Sequence, residues 1–226
     1  MYIKRLLKFE LGLNCSCLFI LIFMLYGCSQ KIVQSVQPQS TVTNLPSTLK
    51  IISLNPLLQF EKINDETILN PENYNGNEIE AKMIQISTNM LVKKNFKIIK
   101  PEELENKEFD ELFSRLQKMS SKLSVGYLSP EAKEILKKLS SYDENLVILS
   151  QYLYVKVGQG GTWNSYTGAI TSSNSSSLLK VSLVHCNEEV IWKNQVLLRE
   201  IPSPDNEKFL ESLDILYSLL PKSKED

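Results

Sequence analysis

Two hydrophobic periods alternate along the chain. In LVILSQYLYVKV, residues 146–157, Val147, Leu149, Leu153, Val155 and Val157 fall on one side and Ser150, Tyr152, Tyr154 and Lys156 on the other. That two-residue period predicts a strand, and its fully apolar start predicts that it runs from the centre of a domain toward the edge. LLKVSLVHC (Leu178 to Cys186) and VIWKNQVLLRE (Val190 to Glu200), separated by Asn187, Glu188 and Glu189, predict two antiparallel strands joined by a tight turn. LKIISL (Leu49 to Leu54), closed by Asn55-Pro56, and FKIIK (Phe96 to Lys100), ended by Pro101, predict two shorter strands.

Between these runs the period lengthens to that of a helix. Ile79, Met83, Ile86 and Met90 recur every three or four residues, with Asn77 and Glu80 at capping-box spacing and Lys93, Lys94 and Asn95 as a stop. Phe109, Leu112, Phe113, Leu116, Met119 and Leu123 form a second stripe, stopped by Gly126. Ser129-Pro130 opens a third helix carrying Ile135, Leu136 and Leu139. Its Glu131, Lys133, Glu134, Lys137 and Lys138 read as a solvated face rather than a binding patch. Ser203-Pro204-Asp205 opens the last helix, with Phe209, Leu213, Leu216 and Leu220 on one side and Pro221 at its end. The order predicts a single α/β domain over residues 49–221, a mixed central sheet of about five strands flanked by helices, with a charged tail at 222–226.

The first 27 residues have another character. Lys4, Arg5 and Lys8 precede nine consecutive apolar residues, Leu18 to Tyr26. This is the charged region and short apolar core of an export signal, whereas a spanning helix needs about 20 apolar residues. The run closes in Leu25-Tyr26-Gly27-Cys28, which resembles the lipobox of bacterial lipoproteins, although Tyr26 replaces the small or aliphatic residue usual in the middle. The resemblance implies cleavage between Gly27 and Cys28, a thioether-linked diacylglycerol on the Cys28 sulfur, and acylation of the new amine by a palmitate-type chain. The alternative is that Cys28 is an ordinary signal-peptide residue cut elsewhere. By the same resemblance, the uncharged Ser29 favours the outer membrane, lipid-anchored and facing the periplasm. Residues 28–48, rich in Ser, Gln, Thr and Pro, predict the lipidated cysteine and a flexible tether.

Charge and cysteine usage narrow the classes further. Loss of Lys4, Arg5, Lys8 and Glu10 with the leader takes the 25 basic and 26 acidic side chains to 22 and 25, a net charge of −3. No clustered basic excess of the kind that binds nucleic acid is present. Beyond Cys28 the only cysteine is Cys186, so no internal disulfide is expected. His185 is the only histidine, and beside Cys186 in an alternating strand its side chain should point to the opposite face. A Cys–His nucleophile pair and a metal site are therefore not expected, nor is any cofactor beyond the covalent lipid.

GQGGTWNSYTGAITSSNSSS, residues 158–177, is long for a loop between strands. It reads either as a mobile Gly/Ser connection or as a contact surface in which Trp163, Tyr166 and Ile170 meet a partner. A membrane-spanning hairpin is disfavoured, because these three large apolar residues do not share a parity.

The whole order resembles a group of envelope lipoproteins related to the curli secretion channel, to outer-membrane activators of penicillin-binding proteins, and to the TolB amino-terminal domain. LKVSLVHCNEEVIWKN (Leu178 to Asn194) is similar to their strand, turn and strand ending in an aliphatic–Trp pair. YNGNEIEAKMIQISTNMLVKKNFKIIKPEEL (Tyr74 to Leu104) is similar to their helix leading into a strand. Members of the group are mostly non-enzymatic scaffolds, and several form rings. The resemblance implies a lipid-anchored binding or assembly protein acting on an envelope protein partner or on further copies of itself. The alternative is a hydrolase or transferase that acts on envelope polymer through carboxylates.

Overall fold

The computed structural model describes residues 33–40, 44–63, 66–99, 107–123, 128–158, 163–164, 169–170, 175–187 and 189–223. The expected signal peptide, Gly27, Cys28 and the first part of the tether lie outside them. In chain order the elements are β1 (Val33–Ser40), β2 (Asn44–Leu45), β3 (Lys50–Ser53), β4 (Leu57–Lys62) and β5 (Ile68–Leu69). Then follow α1 (Gly76–Lys93), β6 (Lys97–Ile99), α2 (Lys107–Lys118), α3 (Pro130–Tyr142) and β7 (Leu146–Val157). The chain continues through β8 (Trp163–Asn164), β9 (Ala169–Ile170), β10 (Ser176–His185), β11 (Glu189–Leu198), α4 (Glu207–Ser218) and β12 (Lys222–Ser223).

The expected α/β class holds, with a mixed sheet of eight strands ordered β1-β11-β10-β7-β3-β6, while β4 also pairs with β7 and β5 with β4. The five strands read from the pattern are β3, β6, β7, β10 and β11; β1, β4 and β5 are the additions. β10 lies antiparallel to β7 and β11, whereas β3 and β4 run parallel to β7 on its other edge, one after the other.

The expected tether needs correction where it is described. Residues 33–40 form an edge strand antiparallel to β11, and the register shifts between Val36 and Gln39, around Pro38. A proline has no N–H to give a ladder and is tolerated at an edge or a bulge. The pairing satisfies the outer backbone groups of β11, a non-local need invisible in the Ser/Gln composition of β1. Among the described residues the sheet thus includes 33–40, ahead of Leu49.

Two helix starts also differ from expectation. Asn77 is not a cap: α1 follows Asn75, which is left-handed at φ 56°, and Asn75 N–H bonds back to the short 3-10 turn Pro71–Tyr74. A Cβ on Gly76 would meet Pro71 at 2.8 Å, so glycine is needed where turn and helix join. For α4 the cap is Asn206, whose Oδ1 accepts from the Lys208 N–H at 2.8 Å and the Phe209 N–H at 3.4 Å, rather than residues 203–205. Ser129 does cap α3, accepting from the Ala132 N–H at 3.2 Å ahead of Pro130.

Strand parity divides the apolar residues into two cores. Ile51, Val147, Leu149, Leu153, Val155, Val181, Leu183 and Trp192 meet Ile79 and Met83 of α1 and Phe209, Leu213 and Tyr217 of α4. Their chain neighbours Ile52, Leu146, Ile148 and Val184 face the other way, onto Phe109, Leu112, Phe113 and Leu116 of α2 and Ile135, Leu136 and Leu139 of α3. Each such side chain contributes about 1.5–3 kcal/mol on burial.

Gln151, fully buried on β7, is a polar residue on the first face. It lies where β3 has ended and β4 has not begun. Its Nε2 donates to the Leu54 carbonyl at 3.2 Å and to Ser53 Oγ at 3.4 Å, and its Oε1 accepts from the Tyr217 hydroxyl. Tyr217→Phe leaves that amide oxygen buried and unpaired, which costs about 1–3 kcal/mol. Urea denaturation of the variant should show that loss; a change under about 0.5 kcal/mol would mean that Gln151 had found another donor.

Candidate functional site

The two faces of the sheet are covered unequally. On the α1/α4 face, apolar contact runs the length of β7, from Val147 to Val157. On the α2/α3 face it stops early: Leu146 and Ile148 belong to the core, and Ser150 marks its margin by donating to Ser120 Oγ at 2.6 Å, in the short 3-10 turn Ser120–Lys122. Beyond Ser150 the same face continues as Tyr152, Tyr154 and Lys156. Cross-strand register then builds two rows, one of Leu57, Tyr152, Lys180 and Gln195 and the next of Gln59, Tyr154, Leu178 and Leu197. Leu57, Tyr152, Tyr154, Leu178 and Leu197 belong to neither apolar core.

At the β4 end of this surface the polar groups hold one another. The Tyr154 hydroxyl donates to Glu61 Oε2 at 2.6 Å, the Tyr152 hydroxyl donates to Gln59 Oε1 at 3.1 Å, and Gln59 Nε2 donates to Glu61 Oε1. The two tyrosine rings are stacked nearly parallel, at 14° with centroids 6.3 Å apart, and Lys156 Nζ stands 6.0 Å from the Tyr154 ring centroid. Burial, and then the Glu61 carboxylate, push both phenols upward in pKa, so they act as neutral donors. Such a fixed aromatic and amide surface loses little side-chain entropy when something docks on it.

The β10 end is basic. Lys180 is 5% exposed, and its ammonium donates to the Ser121 carbonyl at 2.9 Å. Burial, and then repulsion from Lys193, bring its pKa down to about 8. Ser182, two residues on, is buried, and its hydroxyl has no hydrogen-bond partner.

The chain matches no protein-family model and no curated protein. Among solved structures it is similar to a PelC dodecamer from Paraburkholderia phytofirmans, at 10% identity and a TM-score of 0.38 over 85% of this chain and 99% of that one. A leucine-to-methionine variant of that dodecamer gives 10% and 0.35 over 85% and 98%. A Helicobacter pylori protein described as a neuraminyllactose-binding hemagglutinin homolog gives 12% and 0.29 over 81% of this chain and 87% of that one.

The residues singled out in the sequence fall elsewhere. Trp163 and Ile170 are register partners in a two-residue antiparallel ladder, β8 with β9, while Tyr166 lies outside the described residues. His185 ends β10 with Nδ1 accepting from the Asn187 N–H at 3.1 Å. Cys186 is buried in the α2/α3 core, its thiol donating to the Glu144 carbonyl at 3.2 Å and pushed up in pKa by burial. The described residues include no group of three His, Cys, Asp or Glu side chains that could hold a metal ion, and no helix long and apolar enough to cross a membrane. Tyr152, Tyr154 and Lys156 were visible in the sequence as the polar side of a strand. Gln59 and Glu61 were not, because β4 lies in a stretch that carries no clear alternation.

Lys180 makes stability depend on pH in a definite direction. Its folded pKa of about 8 lies below the ordinary lysine value, so between the two the unfolded chain binds more protons and stability rises with pH. The penalty is full below about pH 8 and gone above about 10.5, worth about 1.4 kcal/mol for each pKa unit of depression. Comparing urea unfolding of wild type and Lys180→Met from pH 7 to 10.5 isolates this term. Wild type should gain on the variant across that window; parallel curves would contradict the depressed pKa.

Proposed function

We propose that this protein is a lipid-anchored binding or assembly protein of the bacterial outer membrane, facing the periplasm, and that an envelope partner docks on the part of its sheet that extends beyond the α2/α3 core. The observation that carries the docking is the pair of rows from Leu57 to Gln195 and from Gln59 to Leu197, whose apolar members join neither core. Aromatic, amide and apolar groups on a rigid sheet are what a protein interface uses as anchors, with charged groups at the rim; here Leu57, Gln59, Tyr154, Leu178 and Leu197 are half-buried and Tyr152 is buried. The anchor is supported by the charged start, the short apolar run and the lipobox ending at Cys28. Two or more acyl chains hold a protein stably where one chain binds marginally.

The anchor and the docking face are tested separately. A Cys28→Ala protein should be exported yet recovered in the soluble periplasmic fraction; continued outer-membrane association after export would overturn the lipid anchor.

Leu178→Lys with Leu197→Lys places charge on the docking face. In-cell crosslinking should then lose the partner band while the variant stays folded, losing no more than about 2 kcal/mol of unfolding free energy for two half-buried positions. Trp163→Ser with Tyr166→Ser, in the 158–177 loop, should likewise weaken capture and spare stability. Unchanged capture in the leucine variant, or its collapse in stability, would refute the docking face.

A further inference from the structure

The basic end of this face is incomplete as it stands. An ammonium has three N–H donors, and among the described residues Lys180 donates to the Ser121 carbonyl. The ion pairs among the described residues join Lys50 to Asp143, Arg115 to Glu131, Lys138 to Glu134 and Lys208 to Glu200; none includes Lys180 or Lys193. The acid on this face, Glu61, sits two strands away and is already held by Tyr154 and Gln59. A buried charge without a counter-charge is costly, and natural proteins retain few of them.

Register places further donors beside it. Lys193 lies directly across from Ser182, and diagonally from Lys180, a separation of about 7–8 Å that two long side chains span. Ser182 is 1% exposed and its hydroxyl is unpartnered. Gln195 lies directly across from Lys180. Two cations, a buried free hydroxyl and an amide thus converge on one side of β10 and β11 without an acceptor of matching charge.

We infer that Lys180, Lys193 and the Ser182 hydroxyl form an anion seat that takes a carboxylate or phosphate group of a ligand entering beside the half-buried Lys193, at the edge of the Ser120–Lys122 turn. Charge-assisted hydrogen bonds from both ammonium groups and one from the hydroxyl satisfy the oxyanion and remove the penalty on Lys180 together. The inference rests on the docking reading only for what carries the anion; the seat itself follows from the side chains.

The test uses the full-length protein in detergent, titrated calorimetrically at pH 7 with sodium glucuronate in one arm and inorganic phosphate in the other. One anion or both should saturate a single site with a Kd of about 1–10 mM, and the preferred arm identifies the group. Lys193→Gln, at a half-buried position that leaves folding intact, should weaken that binding at least about fivefold, and Ser182→Ala should weaken it less. The groups facing Lys180 are Tyr152 on β7, Lys193 and Gln195 on β11, and the Ser120–Lys122 turn with its own lysine. Lys180 loses its proton near pH 8, so wild-type affinity should fall between pH 7 and 9.5, and the fall should vanish in Lys180→Met. No saturation by either anion below about 50 mM, or equal binding by wild type and Lys193→Gln, overturns the seat. Because these titrations need no partner, they separate the two readings. Anion binding with capture unaffected by Leu178→Lys supports the seat and refutes the docking face; lost capture without anion binding does the reverse.

Discussion

The twelve-residue strand β7 forms two successive parallel ladders along one edge, first with β3 and then with β4, and the rest of the fold depends on how the break between them is closed. Leu54 N–H still bonds to the Leu149 carbonyl at 3.0 Å, but Asn55 and Pro56 leave the ladder before β4 rejoins it. Backbone groups stranded in a core are expensive. The Leu54 carbonyl is satisfied from inside by Gln151, and the Asn55 carbonyl from outside by Gln117 of α2 at 2.8 Å. Gln151 in turn holds the Tyr217 hydroxyl, so a single amide ties the break in the sheet to α4.

That break decides where the two faces of the sheet differ. β3 contributes Ile51 to one core and Ile52 to the other, whereas β4 contributes Phe60 to the α1/α4 core and nothing to the α2/α3 core. The sheet therefore extends past α2 and α3 along the outer half of β7, and the residues there alternate for a different reason. Odd positions remain apolar because α1 and α4 still cover them, while even positions become Tyr152, Tyr154 and Lys156. The result is a surface with an acidic end at Glu61 and a basic end at Lys180 and Lys193, built on strands rather than loops and so held in a fixed geometry.

Much of this was legible in the sequence and some was not, for physical reasons. β7, β10 and β11 alternate because each is packed on an apolar face, and helices α2 and α3 show their stripes because each covers only one side of the sheet. β1 was hidden because an edge strand of Gln and Ser gains its order from the free edge of β11, some 150 positions away in sequence. The start of α1 depends on the contact between Gly76 and Pro71, and the cap of α4 on which of several polar residues reaches the free N–H groups. Spacing alone does not decide between such neighbours. On the candidate face, the polar parity of Tyr152 and Tyr154 was visible, but their partners Gln59 and Glu61 came from a strand that pairing creates. That Lys180 is buried depends on the Ser120–Lys122 turn lying over it, which no local pattern encodes.

Lys180 is also the place where local and global preferences disagree. Its neighbours on the same face of β10 and β11 include Leu178 and Leu197, and an aliphatic residue at 180 would fill the same space with no desolvation cost. Replacing buried charges by apolar residues of similar volume is often neutral or stabilising. The conflict is compounded by Lys193 beside it and by a serine hydroxyl with nothing to bond. Sequences are otherwise consistent with their folds at each level, and departures cluster where a site has to do something besides fold. Here the uncompensated charge and the strands that extend past α2 and α3 arise from different physics, one from electrostatics and the other from the reach of two helices. They coincide on β7, β10 and β11, where the side chains depart together from what packing of the fold alone requires.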